Sequence, residues 1–199
     1  MTSVAVVYGS SFGDTAAVAR RVADALARRL GHPVPCLDVA GIDLEGLAGV
    51  DLLVAGTSTW HGGDLQDDWA AVLPAVAARD WSATLVALFG LGDQLGYADT
   101  FVDGLADLAA AFGAGGARRV GAWPRAGYEH AHSRAERDGA FVGLALDVEH
   151  QGDRTNGRIE RWCDALLDEV LTARPVCPLP PAPRASRGPG SRANPDPAE

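Results

Sequence analysis

The sequence predicts a doubly wound α/β domain built on a five-stranded parallel sheet. Five short apolar runs alternate with helical patterns along most of the chain. The first three runs are apolar at consecutive positions, as expected when helices cover both faces of a parallel sheet. A chain of 199 residues with 47% apolar content is also the right size for one compact domain. The alternation therefore indicates a βαβ series with right-handed crossovers.

Each predicted element corresponds to one of these runs or to a helical pattern between them. The strands are predicted at residues 3–8, 33–39, 51–57, 84–90 and 117–123. A further short apolar run follows the fifth strand, at 140–146. Helices are predicted near 14–30, 66–79, 99–113 and 155–173, with a short one near 42–48.

The last part of the chain differs from the rest in composition. From Pro175 onward it contains eight of the twelve prolines and no aromatic residue. Such a composition cannot bury enough apolar surface to offset the entropy of ordering. We therefore predict a domain over residues 1–174 and a proline-rich disordered tail over 175–199.

Charge and cysteine content exclude several classes of function. The net charge of −9 argues against nucleic-acid binding and is compatible with docking onto basic proteins. No apolar stretch approaches the roughly 20 residues that cross a bilayer. The three cysteines form no CxxC pair, which argues against a disulfide framework, a zinc site or an iron–sulfur cluster. These observations favour a cytoplasmic protein.

The loop after the first strand, "GSSFGDT", has the features of an anion site. It leads into a helix, so backbone N–H groups and the helix dipole point at whatever binds there. Ser10, Ser11 and Thr15 add hydroxyl donors. The same residues are equally typical of an ordinary turn and helix cap, with Asp14 as the capping residue. From this loop alone, both interpretations stand.

Three nucleotide-binding classes do not match the sequence. A Walker A loop needs GxxxxGK[ST], whereas this loop has a shorter glycine spacing and Asp14 in place of lysine. The GxGxxG fingerprint of dinucleotide-binding domains is absent after the first strand. A receiver domain would need a phosphoacceptor aspartate after the third strand, and "AGTSTW" at that position has none. The loop is therefore best suited to a single terminal phosphate held by neutral hydrogen-bond donors.

Two further loops are predicted at the same edge of the sheet. They are "GTSTWHGGDLQDDW" and "FGLGDQLGYADTF", and each has one aromatic residue near its strand end, Trp60 and Tyr97. Either aromatic alone is more typical of core packing. Two aromatics on adjacent loops above one anion site instead suggest a slot for a flat ring.

These three loops, together with "FVGLALDVEHQGD" and "RIERW", resemble the flavodoxin family in order, spacing and content over residues 3–173. The segment 124–140, which splits the last strand, is similar to the insertion of the long-chain subgroup. The resemblance implies a flavodoxin-like sheet of order 2-1-3-4-5 and one noncovalently bound FMN, and this fold places its ligand at the switch in strand order. It also implies a monomeric electron carrier.

Site residues follow from the resemblance at matching positions. Residues 10–15 would hold the FMN phosphate, Trp60 and Tyr97 would cover the two faces of the isoalloxazine, and neighbouring residues would line its edge. The full predicted set is Ser10, Ser11, Phe12, Gly13, Asp14, Thr15, Ser58, Thr59, Trp60, His61, Gly62, Gly63, Leu91, Gly92, Asp93, Tyr97 and Asp147. Asp147 is equally typical of a strand-end turn residue. The chain departs from the family at Phe12, where a threonine is common, and at Asp14, where an asparagine is common.

The resemblance implies low-potential one-electron transfer on the semiquinone/hydroquinone couple. No arginine or lysine occurs at 57–63 or 90–97, whereas Asp64 and Asp93 lie in or beside these segments. One such charge at ~10 Å and an effective dielectric constant of ~20 opposes an anionic reduced ring by ~1.7 kcal/mol. A type II turn with Gly62 at positive φ is predicted in "WHGG", which would let the His61 carbonyl face the flavin N5.

Other features and functions stay open at this point. His130 and His132 are predicted to be surface residues and Cys163 a core residue. The expected partners are a basic ferredoxin/flavodoxin-NADP reductase and an unidentified acceptor. The alternatives are an FMN-dependent NAD(P)H:quinone oxidoreductase and an interaction module without a flavin.

Overall fold

The computed structural model describes residues 2–47 and 49–173 and has a parallel sheet at its centre. The sheet contains β1 (Val4–Tyr8), β2 (Cys36–Asp38), β3 (Leu52–Trp60), β5 (Leu85–Leu91), β6 (Arg118–Val120) and β10 (Leu144–Leu146). The predicted tail, 175–199, lies outside the described residues. Within the described part, no helix is both long and apolar enough to cross a bilayer.

Within the described residues, four helices and four short strands complete the fold. The helices are α1 (Asp14–Leu30), α2 (Asp67–Ala78), α3 (Gly104–Ala114) and α4 (Gly152–Ala173), with a single 3₁₀ turn at Leu44–Leu47. The short strands are β4 (Asp64–Leu65), β7 (Trp123–Pro124), β8 (Glu136–Arg137) and β9 (Ala140–Phe141). Strand β4 pairs antiparallel with the end of β3.

The strand order confirms the predicted doubly wound sheet. From one edge it runs β2-β1-β3-β5, and two separate strands then pair in parallel with β5. Strand β6 pairs with its first half, Leu85 to Ala87, and β10 pairs with its second half, Phe89 to Leu91. The fifth strand is therefore divided in two, with residues 121–143 between its halves.

Two apolar layers hold the helices on the sheet. Helices α1 and α4 cover one face, where Val6, Val54 and Phe89 are fully buried. Helices α2 and α3 cover the other face. Trp162 and Cys163 of α4 are buried in the first layer, which confirms the prediction for Cys163. Burial raises the pKa of the Cys163 thiol to about 12.

Helix α3 begins five residues later than the predicted range of 99–113, at Gly104. Val102 has φ 51° and is fully buried. That backbone conformation is incompatible with a right-handed helix and is uncommon for a β-branched residue. Packing of Phe101 and Val102 into the second apolar layer therefore overrides the local helical pattern.

The segment between β6 and β10 forms a small antiparallel sheet of order β7-β9-β8. The prediction that His130 lies on the surface is wrong, because its side chain is fully buried and its ring is 5.2 Å from the ring centroids of both Phe101 and Phe141. His132 is exposed, as predicted. Tyr128 packs in the same aromatic group, and burial raises the pKa of its hydroxyl to about 12.

Candidate functional site

A cleft of about 410 Å³ opens at the carboxyl ends of β1, β3, β5 and β10. In doubly wound sheets, ligands bind at this edge where the strand order reverses, which here is between β1 and β3. The cleft is lined by Ser10, Ser11, Phe12, Asp14, Thr15, Ser58, Thr59, Trp60, His61, Leu91, Gly92, Asp93, Tyr97, Val148 and Glu149.

The loop from β1 to α1 has a different internal structure from the one predicted. Asp14 is the first residue of α1 and does not cap it; the N-cap is Gly13, at φ 100°. The capping role falls instead to Ser10, whose Oγ accepts hydrogen bonds from Gly13 N at 3.1 Å and Ala16 N at 3.3 Å. A hydroxyl that already accepts two N–H groups has only its own proton left to donate. The Ser10 O–H is therefore available to an anion.

Trp60 and Tyr97 both line the cleft, and neither is packed in the core. Tyr97 is 54% exposed. Trp60 is half-buried, and its Nε1 donates to Ser58 Oγ at 2.9 Å. The ring of Phe12 meets Trp60 edge-on with 5.3 Å between centroids. The cleft therefore has aromatic walls contributed by two loops and by the carboxyl end of β3.

The turn after Trp60 differs from the predicted type II turn. Gly63 N donates to Trp60 O at 3.0 Å, which closes a turn over residues 60–63. The residues with positive φ are His61, at 47°, and Gly63, at 111°, and Gly62 is not among them. The prediction that Gly62 has a positive φ in a type II turn is therefore wrong. Antiparallel pairing of Trp60 with Asp64 sets the geometry of this turn, and no pattern in the sequence predicted that hairpin.

The loop that carries Tyr97 is organised by Asp93. Its Oδ1 accepts from Leu95 N at 2.9 Å and Gly96 N at 2.7 Å, and His150 Nε2 lies 3.0 Å away. Burial opposes ionisation of Asp93, but these N–H donors and the imidazole outweigh it and lower the pKa of the carboxyl below its usual value. Asp93 is thus held as a carboxylate at the edge of the cleft.

Asp147 lies outside the cleft lining and connects the loop after β5 with the loop after β10 through hydrogen bonds. Its side chain is fully buried, and Oδ2 accepts from both Gln94 N and Gln94 Nε2. Oδ1 accepts from Glu149 N and His150 N. Gln94 Oε1 in turn accepts from Glu129 N, in the segment between β6 and β10. Asp147 therefore has the geometry of a strand-end turn residue, which was the alternative to flavin contact in the sequence analysis.

The cleft gathers most of the predicted site residues. Of the described residues, Gly13, Gly62, Gly63 and Asp147 are predicted site residues outside its lining, and Val148 and Glu149 are lining residues that the sequence reasoning missed. Their position directly after the strand-end Asp147 could have indicated them. The charged lining residues in the described chain are acidic: Asp14, Asp93 and Glu149. Fold and site together define a doubly wound α/β protein with a hydroxyl-bearing loop and aromatic walls at its switch point.

Comparison with known proteins identifies the family. A model of the flavodoxin family matches residues 6–162. A flavodoxin from Picosynechococcus sp. is 40% identical over 162 residues, which cover 81% of this chain and 94% of that protein. Flavodoxin 1 of Azotobacter vinelandii is 37% identical over 175 residues, covering 87% and 100% of the two chains.

Structural comparison agrees. A variant of Fusobacterium nucleatum flavodoxin, solved with flavin mononucleotide bound, superposes with a TM-score of 0.78 at 25% identity, covering 85% of this chain and 97% of that one. The chain belongs to the flavodoxin family. Its assignment to the long-chain subgroup stays a prediction based on the insertion.

Proposed function

We propose that the cleft binds one FMN noncovalently and that the protein carries single electrons between redox partners. The observation that carries this proposal is the meeting of the hydroxyl-bearing loop after β1 with the aromatic side chains of Trp60 and Tyr97 in one cleft of a flavodoxin-family sheet. The related Fusobacterium protein was solved with FMN bound, which supports the same ligand here.

The first loop has donors that suit the FMN phosphate. Ser10, Ser11 and Thr15 offer hydroxyl groups beside the N-terminus of α1, a helix of 17 residues. Backbone N–H groups at a helix N-terminus favour an anion through both hydrogen bonding and the helix dipole. Asp14, exposed at the first position of α1, is the one group of this loop that opposes a phosphate.

The aromatic side chains suit the ring of the same ligand. Trp60 and Tyr97 would cover the isoalloxazine, with the backbone of Thr59, His61 and Gly92 along its edge. When bound, FMN supplies the redox chemistry, and the protein positions it and excludes water. A cleft of about 410 Å³ falls within the usual range for cofactor pockets.

The charges around the cleft favour a low reduction potential. Asp14, Asp93 and Glu149 line it, and no arginine does so in the described chain. A single carboxylate at ~10 Å, with an effective dielectric constant of ~20, disfavours added negative charge on the ring by ~1.7 kcal/mol. For a one-electron couple this corresponds to ~70 mV. The acidic residues that line the cleft therefore favour a low reduction potential for the bound FMN, which makes it a strongly reducing electron donor.

The partners would be basic redox proteins. A net charge of −9 favours encounter with a positively charged reductase and a positively charged acceptor. A reductase of the ferredoxin/flavodoxin-NADP type is the donor class that we propose, with the carrier acting as a cytoplasmic monomer.

A larger groove of about 690 Å³ lies between α3 and the 121–143 segment. Its described lining has charges of both signs and no phenylalanine, tyrosine or tryptophan, so it does not suit a flat ring.

The test separates a carrier from a flavin enzyme. Purified protein is loaded with FMN and mixed with NADPH and a quinone, with and without a ferredoxin/flavodoxin-NADP reductase. We expect turnover only when the reductase is present. Steady NADPH oxidation without the reductase would instead indicate a quinone oxidoreductase, and failure to bind FMN would overturn both interpretations.

A further inference from the structure

We propose that Gln66 is a positioning residue for the phosphate site, acting through the hydroxyl of Ser11. The inference rests on the proposed FMN function, because it concerns how the first loop presents its donors to the phosphate. Gln66 does not line the cleft; it lies behind the loop, where its side chain is 1% exposed.

Both polar ends of the Gln66 amide have partners. Its Oε1 accepts from Trp69 N at 3.2 Å and so caps α2. Its Nε2 donates to Asp68 Oδ2 at 2.7 Å and to Ser11 Oγ at 3.4 Å. The amide therefore connects the start of α2 with the first loop, across 55 residues of sequence.

The first loop rests directly on this amide. A Cβ at Gly9 would collide with Gln66 Oε1 and with Trp69 Cδ1, so only glycine allows the backbone to approach so closely. Gly9 N and Trp69 Nε1 both donate to Gly56 O, at 3.0 and 2.7 Å. The Gly56 carbonyl of β3 therefore holds both the start of the first loop and Trp69, which lies beside Gln66.

This contact determines which role Ser11 can play. A serine hydroxyl has one proton to donate, and an amide N–H that points at its oxygen occupies a lone pair and turns the proton elsewhere. Ser11 is exposed and lines the cleft, so its proton is free for a ligand there. Gln66 therefore makes Ser11 a donor, the role that a phosphate requires.

The inference is tested with Gln66→Ser, using FMN and riboflavin as probes, since riboflavin lacks the phosphate. Serine is a good N-cap, so this variant retains an acceptor for Trp69 N but loses the donor to Ser11. We expect FMN affinity to fall by roughly 3- to 10-fold, as for the loss of one hydrogen bond. Riboflavin affinity should stay within about twofold, because the ring site is unchanged.

A double-mutant cycle with Ser11→Ala isolates the contact. In the Ser11→Ala background, Gln66→Ser should cause no further change in the ratio of FMN to riboflavin affinity. Gln66→Glu is the second variant; it retains the length and the cap but presents an acceptor to Ser11 and a charge to Asp68 and the phosphate. It should lower FMN affinity at least as much, and the part of this loss that disappears in the Ser11→Ala background measures the contact with Ser11. It also keeps the test decisive if Gln66→Ser does not fold.

The outcomes distinguish this inference from the proposed function. If the unmodified protein binds FMN no more tightly than riboflavin, the phosphate site itself is wrong. If it prefers FMN and the Gln66 variants keep that preference, or if they weaken both ligands equally, Gln66 is only a structural residue and the inference is overturned.

Discussion

Phe12 stands at the tip of the first loop, where it is 83% exposed and contacts the edge of Trp60. A phenyl ring here has two opposite consequences. It places no hydroxyl at a position that faces the cleft, and it adds an aromatic contact, typically about 0.5–1.5 kcal/mol, to the wall formed by Trp60. In the proposed FMN site, Phe12 therefore lowers affinity for the phosphate but supports the aromatic wall that would cover the ring.

Replacing Phe12 separates these two effects. Phe12→Thr should tighten FMN binding relative to riboflavin by roughly 3- to 10-fold, since a hydroxyl donor is added near the phosphate. Phe12→Leu, the matched control, removes the aromatic contact without adding a donor and should leave the ratio of the two affinities unchanged. Fluorescence titrations with both flavins measure this ratio, and an equal ratio in all three proteins would contradict the assignment of this loop.

Asp93 provides a second test at the scale of one residue, through pH. Its pKa is lower in the folded protein than the ordinary value of about 3.9, so its ionised form stabilises the fold above that pH. The stabilisation is lost as pH falls through the folded pKa. Asp93→Asn should therefore lower the free energy of unfolding at about pH 6, and the difference from the unmodified protein should shrink towards about pH 3.

Urea unfolding at the two pH values measures the effect of Asp93. The control is Asp64→Asn, which changes an exposed carboxyl of β4 and should shift the free energy of unfolding by no more than about 0.5 kcal/mol at either pH. A difference for Asp93→Asn that grows on acidification would contradict the hydrogen-bonded carboxylate.

At the scale of elements, tight turns connect β3 with β4 and β8 with β9. The β8–β9 hairpin turns through Asp138, at φ 52°, and Gly139, at φ 77°, the pattern that an Asp-Gly pair favours. Gly62, in the turn after β3, does not have a positive φ. A Cβ would meet open space at Gly62 and at Gly139 alike.

These two glycines form a matched pair. Gly139→Ala should cost about 1–2 kcal/mol of unfolding free energy, because an L-residue is forced into the left-handed region. Gly62→Ala should change it by no more than about 0.5 kcal/mol, since only a side-chain methyl is added to open space. Thermal or urea unfolding of the protein without added FMN gives both values. Equal costs at the two positions would contradict the turn geometry over residues 60–63.

The same elements show which features a sequence can predict. Consecutive apolar positions correctly predicted β1 and β3 as strands buried on both faces. The second run, 33–39, forms only the short strand β2, whose residues are half-buried or exposed. The start of α3 and the burial of His130 could not be predicted, since both depend on Phe101 and Phe141 meeting from distant parts of the chain. Gln66 and Gln94 escaped prediction for the same reason: their partners are 55 and 53 residues away.

For the molecule as a whole, the net charge of −9 favours encounter with positively charged proteins. If acidic residues steer the protein to basic partners, its reduction by the reductase should slow as ionic strength rises, because salt screens charges beyond about 8–10 Å. Stopped-flow rates at increasing sodium chloride measure this, with an uncharged chemical reductant as the control. A rate that is independent of salt would contradict electrostatic docking.

The central claim is that this acidic, aromatic-walled cleft holds FMN and makes it a strongly reducing carrier of single electrons. A spectroelectrochemical titration of the FMN-loaded protein, beside free FMN in the same buffer, tests the claim most directly. We predict two separate one-electron steps, with the second at a lower potential than free FMN. A single two-electron step at the potential of free FMN would contradict the account.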